Sequence, residues 1–218
     1  MTAPAAPRTV DVALGVLQRA DEYDLDEGPR WEDLDLSRLS FEGRDLTASA
    51  FSGCDLTGVD LDGVPARRLD VTECVIEAVS PAMLDAPDSR WVRSAVTRSR
   101  IGAATLHGST WDQVTVIGCK VGFLNLRGAR LTDVRFVDCV LDDLDLMGAA
   151  LERVAFEGCT TRMLTAHNSR LTDVDLRGLE FHGIDAAAGL AGATITEQQL
   201  TDLAPLLAAE AGVEVASD

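Results

Sequence analysis

The stretch Leu124-Asn125-Leu126-Arg127-Gly128 belongs to a long series of five-residue blocks in which two apolar positions flank one polar residue. In steps of five from Trp31 to Phe181, Thr161 is the only polar residue among 31 central positions. The position two residues earlier holds small or aliphatic residues, and Arg44 is its only charged member. A fixed period of five fits neither a helix nor a plain strand. It predicts a chain that turns a corner every five residues and points two side chains of each block inward.

A second period of 20 residues predicts how many sides each coil has. Like residues recur at every fourth block, as in the rows Val114, Val134, Val154, Val174 and Cys119, Cys139, Cys159. Four blocks therefore make one square coil. Stacked coils would pair as parallel strands about 4.8 Å apart, so residues 31–188 would form about eight coils and a rod of about 38 Å.

These blocks resemble those of the pentapeptide-repeat family over about 70 % of the chain. The resemblance implies an all-β solenoid, a right-handed quadrilateral parallel β-helix, with a C-terminal helical cap. The repeat pattern is weakest from Pro65 to Arg100, where Pro81 and Pro87 also occur. Because the phase of five survives there, we expect ordinary coils with irregular corners and no inserted loop.

The ends of a solenoid expose backbone and apolar core, so we expect caps. Residues 1–30 would form an N-terminal cap and linker, residues 31–188 the β-helix, and residues 189–218 a C-terminal cap. The segment from Thr9 to Ala20 fits a helix and fits a strand nearly as well, and Asp21 to Glu27 reads as an acidic linker.

The C-terminal segment carries the pattern of an amphipathic helix. Thr196 and Gln199 have capping-box spacing, and Gly212 is a helix stop. Pro205 predicts a kink or the start of a second helix. Val213 and Val215 would add a short strand. The apolar stripe, which would seal the last coil or pair two copies as a dimer, comprises Leu200, Leu203, Leu206 and Leu207.

Composition limits the possible functions. The chain has 36 acidic and 19 basic residues, a net charge of −17, which argues against direct binding to nucleic acid or to an anionic membrane. No apolar run nears the length of a membrane span, and the first 17 residues lack a secretion signal, so we expect a cytoplasmic protein. The five cysteines fall at inward positions and would be buried thiols.

The sequence offers no catalytic or cofactor site. His107 and His167 would lie three coils apart, about 14 Å, too far to share a metal ion. Ser109 and Ser169 fall at inward positions, and a straight rod offers no concave pocket for a small molecule. We therefore expect a protein that is not an enzyme, with neither a catalytic nor a metal site and no cofactor.

The outward charges suggest a binding face. Acidic residues recur at the same place in several coils, and Asp or Asn there also suits hydrogen bonding at the corners. The candidate acidic face comprises Asp45, Asp85, Asp145 and Asp185, with Asn125 in the same row. A row of Arg90, Arg130 and Arg170 interrupts the acidic surface elsewhere.

Two functions follow. The resemblance includes acidic pentapeptide-repeat proteins that imitate duplex DNA, bind type II topoisomerases and protect DNA gyrase from quinolones, which implies a role in antibiotic resistance. The alternative is a scaffold whose flat faces bind an unrelated protein partner. Both hypotheses predict a protein partner and no direct contact with nucleic acid.

Overall fold

Corners recur every five residues along the chain in this computed structural model, which describes residues 3–26 and 28–216. The corner residue is left-handed at most turns, for example with φ of 64° at Arg38, 58° at Ala48 and 63° at Gly53. Neighbouring coils pair in parallel with a register of 20 residues, as Trp31 does with Phe51. The chain forms a parallel β-solenoid of about nine turns with one C-terminal helix, which confirms the predicted fold class.

Four faces, named here A to D, follow one another around each coil. The central residues of face A run in steps of 20 from Trp31 to Leu171, and those of face B from Leu36 to Leu176. Those of face C run from Phe41 to Phe181, and those of face D from Leu46 to Ala166.

The strands of the described residues form three parallel sheets. The sheet of faces A and B contains β2 (Arg30–Glu32), β4 (Ala50–Ser52), β5 (Asp70–Thr72), β6 (Val75–Glu77), β8 (Arg90–Val92), β9 (Ala95–Thr97), β11 (Thr110–Asp112), β12 (Thr115–Ile117), β14 (Arg130–Val137), β16 (Ala150–Glu157), β18 (Arg170–Asp175) and β20 (Ala193–Thr194). The sheet of face C contains β7 (Met83–Asp85), β10 (Arg100–Thr105), β13 (Lys120–Asn125), β15 (Val140–Asp145), β17 (Cys159–Thr165) and β19 (Leu179–Phe181). A small sheet pairs β1 (Gln18–Arg19) with β3 (Leu34–Asp35).

Stacked side chains fill the interior, as the 20-residue period predicts. The rings of Phe136 and Phe156 lie 4.8 Å apart and 5° from parallel. Buried serines accept hydrogen bonds from tryptophans two residues later, at 2.8 Å from Trp91 Nε1 to Ser89 Oγ. Thr161, the polar exception in the central positions, is buried and donates a hydrogen bond to the carbonyl of Met163. Polar atoms in the core are therefore satisfied locally.

The proline-containing region continues the solenoid without a loop. Val71 pairs with Trp91 and Ile76 with Val96, so the register of 20 holds through Pro65 to Arg100. The expectation of ordinary coils there is confirmed. In β10, β13, β15 and β17 the corner between faces C and D lies inside a continuous strand of six or seven residues.

The N-terminal segment forms neither the helix nor the strand that the sequence left open as alternatives. Residues 3–17 form no helix and no strand, and only Gln18–Arg19 pairs as a strand. The segment runs lengthwise along the rod, since the backbone N–H of Ala5 bonds to Asp173 and that of Arg8 to Asp133. We call residues 3–17 the strap. Its partners are distant in sequence, so local periodicity could not reveal it.

The predicted acidic linker contains the N-terminal cap. Asp24–Asp26 forms a 3₁₀ turn whose Leu25 is buried at the end of the core. Arg44 donates to the Leu25 carbonyl at 3.3 Å and pairs with Asp26. Trp31 Nε1 donates to the Asp24 carbonyl at 3.1 Å. The charge at Arg44 therefore holds the cap in place, and Glu27, the last residue of that expected linker, lies outside the described residues.

The C-terminal cap is one helix, α1 (Glu197–Glu210), followed by Gly212 with φ of 70°. The capping box of Thr196 and Gln199 is present as predicted. Pro205 lies inside the helix without dividing it, because Leu203 and Glu210 on either side of it are anchored to the rod. Val213 and Val215 are exposed and form no strand, so that expectation is wrong.

Candidate docking surface

The candidate acidic face lies on one edge of face D, but its carboxylates differ in exposure. Asp45 and Asp185 are exposed, Asp85 is half-buried and Asp145 is only 4 % exposed. Asp145 accepts hydrogen bonds from the Met147 N–H at 3.0 Å and from Arg127 Nε at 2.6 Å. Asp145 therefore holds a corner, and Asp45, Asp85 and Asp185 remain accessible to a partner.

Corner hydrogen bonds engage this row of aspartates. Asp45 Oδ1 accepts the N–H of Thr47 at 2.8 Å, and hydrogen bonds from the side chain and backbone of Thr47 lower the pKa of Asp45. Asp185 Oδ1 accepts the N–H of Ala166 at 2.9 Å, and its other oxygen lies 3.4 Å from His167 Nε2. An aspartate in this row thus stabilises a corner of the coil, whether or not it also contacts a partner.

The acidic charge is concentrated at the two ends of the chain's path through the rod. Residues 21–62 hold 13 acidic and three basic residues, a net of −10. Residues 63–140 hold eight acidic and ten basic residues, a net of +2. Residues 141–218 hold 14 acidic and four basic residues, again a net of −10. We call the first and third segments the two acidic blocks. The five-residue spacing by itself does not reveal this division along the axis.

Ion pairs between neighbouring coils neutralise much of the middle of the rod. Arg93 pairs with Glu73 and Arg90 with Asp70, each one coil earlier. Such arginines occur where the 20-residue register places an acid beside them. Of the predicted arginine row, Arg90 has such a partner. The pairs across coils are Arg67–Asp88, Arg90–Asp70, Arg93–Glu73, Arg98–Glu77, Arg127–Asp145, Arg135–Glu157, Arg153–Asp133 and Arg162–Asp143.

The titratable and nucleophilic groups have structural surroundings. All five cysteines are buried and free. Burial and a thiol–thiol hydrogen bond with Cys119 raise the pKa of Cys139, with the hydrogen bond the larger cause, to about 11. Ser109 is buried, and Ser169 donates to the Ala166 carbonyl at 2.6 Å. No group of His, Cys, Asp and Glu among the described residues could hold a metal ion.

The described part of the chain includes an internal hollow and a surface hollow. One is an apolar void of about 60 Å³ inside the rod, bordered by small core residues such as Ala66 and Ala104. The other is a cleft of about 310 Å³ beside the N-terminal cap, lined by Trp31, Arg44 and Asp45 among others. The first faces only apolar side chains, and the second is a shallow space around the Arg44 anchor.

Helix α1 divides the predicted apolar stripe between core and surface. Leu203 is 4 % exposed and seals the last coil, and Leu206 is half-buried. Leu200 and Leu207, one heptad apart, are 51 % and 39 % exposed. The pair Leu200 and Leu207 is thus the part of the stripe left open to a second copy.

The family model for pentapeptide repeats matches residues 33–64 and 125–160, in eight copies. The chain therefore contains pentapeptide repeats. A comparison with curated proteins finds no match to this pentapeptide-repeat protein.

Two solved structures show what the chain is similar to. A trypsin-treated variant of QnrB1, a plasmid-mediated fluoroquinolone resistance protein, is 16 % identical, with 86 % of this chain and 92 % of that chain covered and a TM-score of 0.36. HetL, a pentapeptide repeat protein involved in heterocyst differentiation regulation from the cyanobacterium Nostoc sp. strain PCC 7120, is 14 % identical. The HetL match covers 77 % of this chain and 90 % of that chain, with a TM-score of 0.22.

In the described residues of this pentapeptide-repeat protein, no helix combines the length and the apolar character that a membrane span requires.

Proposed function

We propose that this pentapeptide-repeat protein is a non-catalytic cytoplasmic rod that binds a type II topoisomerase, DNA gyrase, in the place of duplex DNA. The observation that supports the proposal is the pair of acidic blocks on an uninterrupted rod. Each block has a net charge of −10, and the segment between them has a net charge of +2.

The coils carry the same sign of charge as DNA, at a lower density. Duplex DNA carries one negative charge per 1.7 Å, or about 22 over a length of about 38 Å. Residues 30–188, which include the coils, hold 25 acidic and 17 basic residues, a net charge of −8, whereas the whole chain carries −17. The coils therefore carry about a third of the charge of DNA of that length, and the negative charge of the chain is concentrated towards its two ends. A basic surface built for DNA attracts such a charge distribution.

Side chains in both blocks would make the contact. Asp45 lies in the first block and Asp185 in the last, and both are exposed. Glu42 and Asp62, at equivalent positions in the first two coils, lie in the same block as Asp45 and are exposed as well. Asp85 contributes between the blocks, and Asp145 serves mainly to hold Arg127. The protein would compete with the DNA substrate, and the same competition would protect gyrase from a quinolone.

The test is inhibition of gyrase. Micromolar protein should inhibit supercoiling of relaxed plasmid and reduce quinolone-stabilised cleavage. The triple variant Glu42→Gln, Asp45→Asn, Asp62→Asn should raise the concentration for half-inhibition at least tenfold. Each replacement keeps an oxygen acceptor, so the corner bonds of Asp45 and Asp62 persist.

The matched control removes the same charge elsewhere. Glu73→Gln, Glu77→Gln and Glu157→Gln neutralise three carboxylates that pair with arginines. This control should inhibit within about threefold of the native protein, because the acidic blocks lose less charge. If native protein leaves gyrase from several bacteria unaffected, the proposal is wrong. Equal loss in both variants would mean that only total charge matters. A pull-down that recovers another protein would then favour the scaffold alternative.

A further inference from the structure

The strap occupies one corner of the rod. We call this the AB corner, the residues that follow face A at each coil: Asp33, Gly53, Glu73, Arg93, Gln113, Asp133, Arg153 and Asp173. The strap begins beside Asp173 in the eighth coil and reaches the first coil, where the N–H of Gln18 bonds to the Asp33 carbonyl at 3.2 Å. The corner thus holds an extended peptide along nearly its whole length.

The spacing of carboxylates matches an extended peptide. The N–H of Ala5 bonds to Asp173 Oδ1 at 3.2 Å, and the N–H of Arg8 bonds to Asp133 Oδ1 at 2.9 Å. Asp133 and Asp173 are two coils apart, about 9.6 Å, and three residues of extended chain span about 10 Å. Main-chain donors can therefore meet these carboxylates whatever the side chains of the peptide.

Outward-pointing residues beside the AB corner are shielded. Val92 and Ala155 point outward, yet they are only 4 % and 7 % exposed. Asp133 is 4 % exposed, whereas Asp138, which occupies the equivalent position on the next corner, is exposed. Ten residues from Arg8 to Gln18 cross five coils, so Val12 falls beside the coil of Val92. A peptide on this corner buries apolar surface as well as forming hydrogen bonds.

The strap is lightly held near its origin. Val16 is fully exposed, at 101 %, and the preceding Gly15 has no heavy atom within 4 Å of where a Cβ would stand. Across residues 3–17, the hydrogen bonds to the rod are those of Ala5 and Arg8. The strap can therefore lift from the corner without breaking β1.

We propose that the AB corner is a binding site for an extended segment of a partner protein, and that the strap is its displaceable intramolecular ligand. The strap indicates the chemistry of that segment. Residues 1–20 carry two basic and one acidic residue, in contrast to the acidic remainder, and the strap is rich in alanine, valine and proline. The partner segment is therefore extended, not acidic, and built of small and β-branched residues. The site is separate from the acidic contacts proposed for gyrase.

The experiment adds the strap in trans to the full-length chain. The probe is a fluorescent synthetic peptide of residues 3–17. The variant Val12→Asp, Leu14→Asp places charge at two half-buried strap positions and releases the strap. This variant should bind the peptide at least tenfold more tightly than the native chain, because the native strap competes at high effective concentration. Circular dichroism and thermal unfolding confirm that the variant remains folded.

Two controls identify the corner. Adding Asp173→Ala to the released variant should weaken peptide binding at least threefold, and adding Asp138→Ala should leave it unchanged. A peptide N-methylated at Arg8 lacks the N–H that Asp133 accepts and should bind at least tenfold more weakly. The proposal is overturned if the peptide binds neither protein, binds both equally, or tolerates N-methylation. A native dimer that the strap substitutions dissociate would assign the corner to strap exchange between copies and would also overturn it.

Discussion

The backbone N–H of Arg8 and the side chain of Asp133 are joined by a hydrogen bond of 2.9 Å across 125 positions of sequence. Arg153 binds the same carboxylate through Nε at 2.7 Å and Nη2 at 2.9 Å. One buried carboxylate therefore links three parts of the chain: the strap and two successive coils.

Acid should weaken this link. The side chain of Arg153, followed by the N–H of Arg8, lowers the pKa of Asp133, against the opposing effect of burial. A lowered pKa contributes stability that is fully present above the unfolded value near 3.8 and is lost progressively as the pH falls through the lower folded value. Asp133→Asn should therefore cost about 2 kcal/mol at pH 6 and less at pH 3. Urea unfolding at both values measures this, and a cost that does not change with pH would contradict it.

Removing a stacked ring should destabilise the rod strongly. Phe136 is 1 % exposed and stacks on Phe156 at 4.8 Å. Phe136→Ala should lower the free energy of unfolding by about 4 kcal/mol. Phe123→Ala is the matched control, since Phe123 is 37 % exposed, and should cost less than about 1 kcal/mol. Equal losses in thermal or denaturant unfolding would contradict the stacked core.

Glycine should improve a left-handed corner. Ala78 is exposed and has φ of 54°, a conformation that costs an alanine about 1 kcal/mol. Ala78→Gly should therefore raise stability by about 0.5 kcal/mol, after the entropy cost of glycine. Ala150→Gly, at a strand position in β16, should lower it by a similar amount. The denaturant midpoints of the two variants measure these changes in stability. Changes in the same direction for both variants would refute the explanation.

The thiols should be unreactive in the folded protein. All five cysteines are buried, so a reagent cannot reach them, even though the hydrogen bond with Cys139 lowers the pKa of Cys119 to about 7. An aromatic disulfide reagent at pH 8 should modify fewer than one thiol per native chain, and all five after unfolding. Rapid labelling of a folded sample would show that the stacked coils open readily.

The leucines of α1 should separate stability from association. Leu203→Ala removes a buried contact and should cost about 2–3 kcal/mol of stability. Leu207→Ala, at a 39 % exposed position, should cost less than about 1 kcal/mol. If Leu200 and Leu207 form a dimer contact, the double variant Leu200→Asp, Leu207→Asp will have the mass of a monomer by light scattering. The variant should remain folded, as thermal unfolding would show. An unchanged mass would exclude this surface from assembly.

The repeated part of the structure was predictable because its signal is repeated. Inward columns, the square coil and the capping box all follow from local spacing, and Thr196 with Gln199 behaves as its spacing predicts. The strap was not predictable, since its alternating valines have no local partner and its hydrogen bonds reach Asp133 and Asp173. Arg44 was visible as an exception among inward residues, but its partner Asp26 lies in a segment without periodicity.

The acidic face was only partly predictable for a related reason. Sequence spacing places Asp45 and Asp145 in one row, but exposure depends on which neighbours reach them. Arg127 covers Asp145 at 2.6 Å, and such contacts depend on the conformation of a long side chain.

The last strand pair sets a limit on growth. Val174 pairs with Ala193, 19 residues on, where earlier coils pair at 20. A missing residue shifts the alternation of inward and outward side chains. Another turn laid on this edge would have its pattern out of phase, and α1 follows at once. The last strand pair therefore prevents further coils from adding in register. This favours a rod of fixed length over an open fibre in which molecules stack end to end.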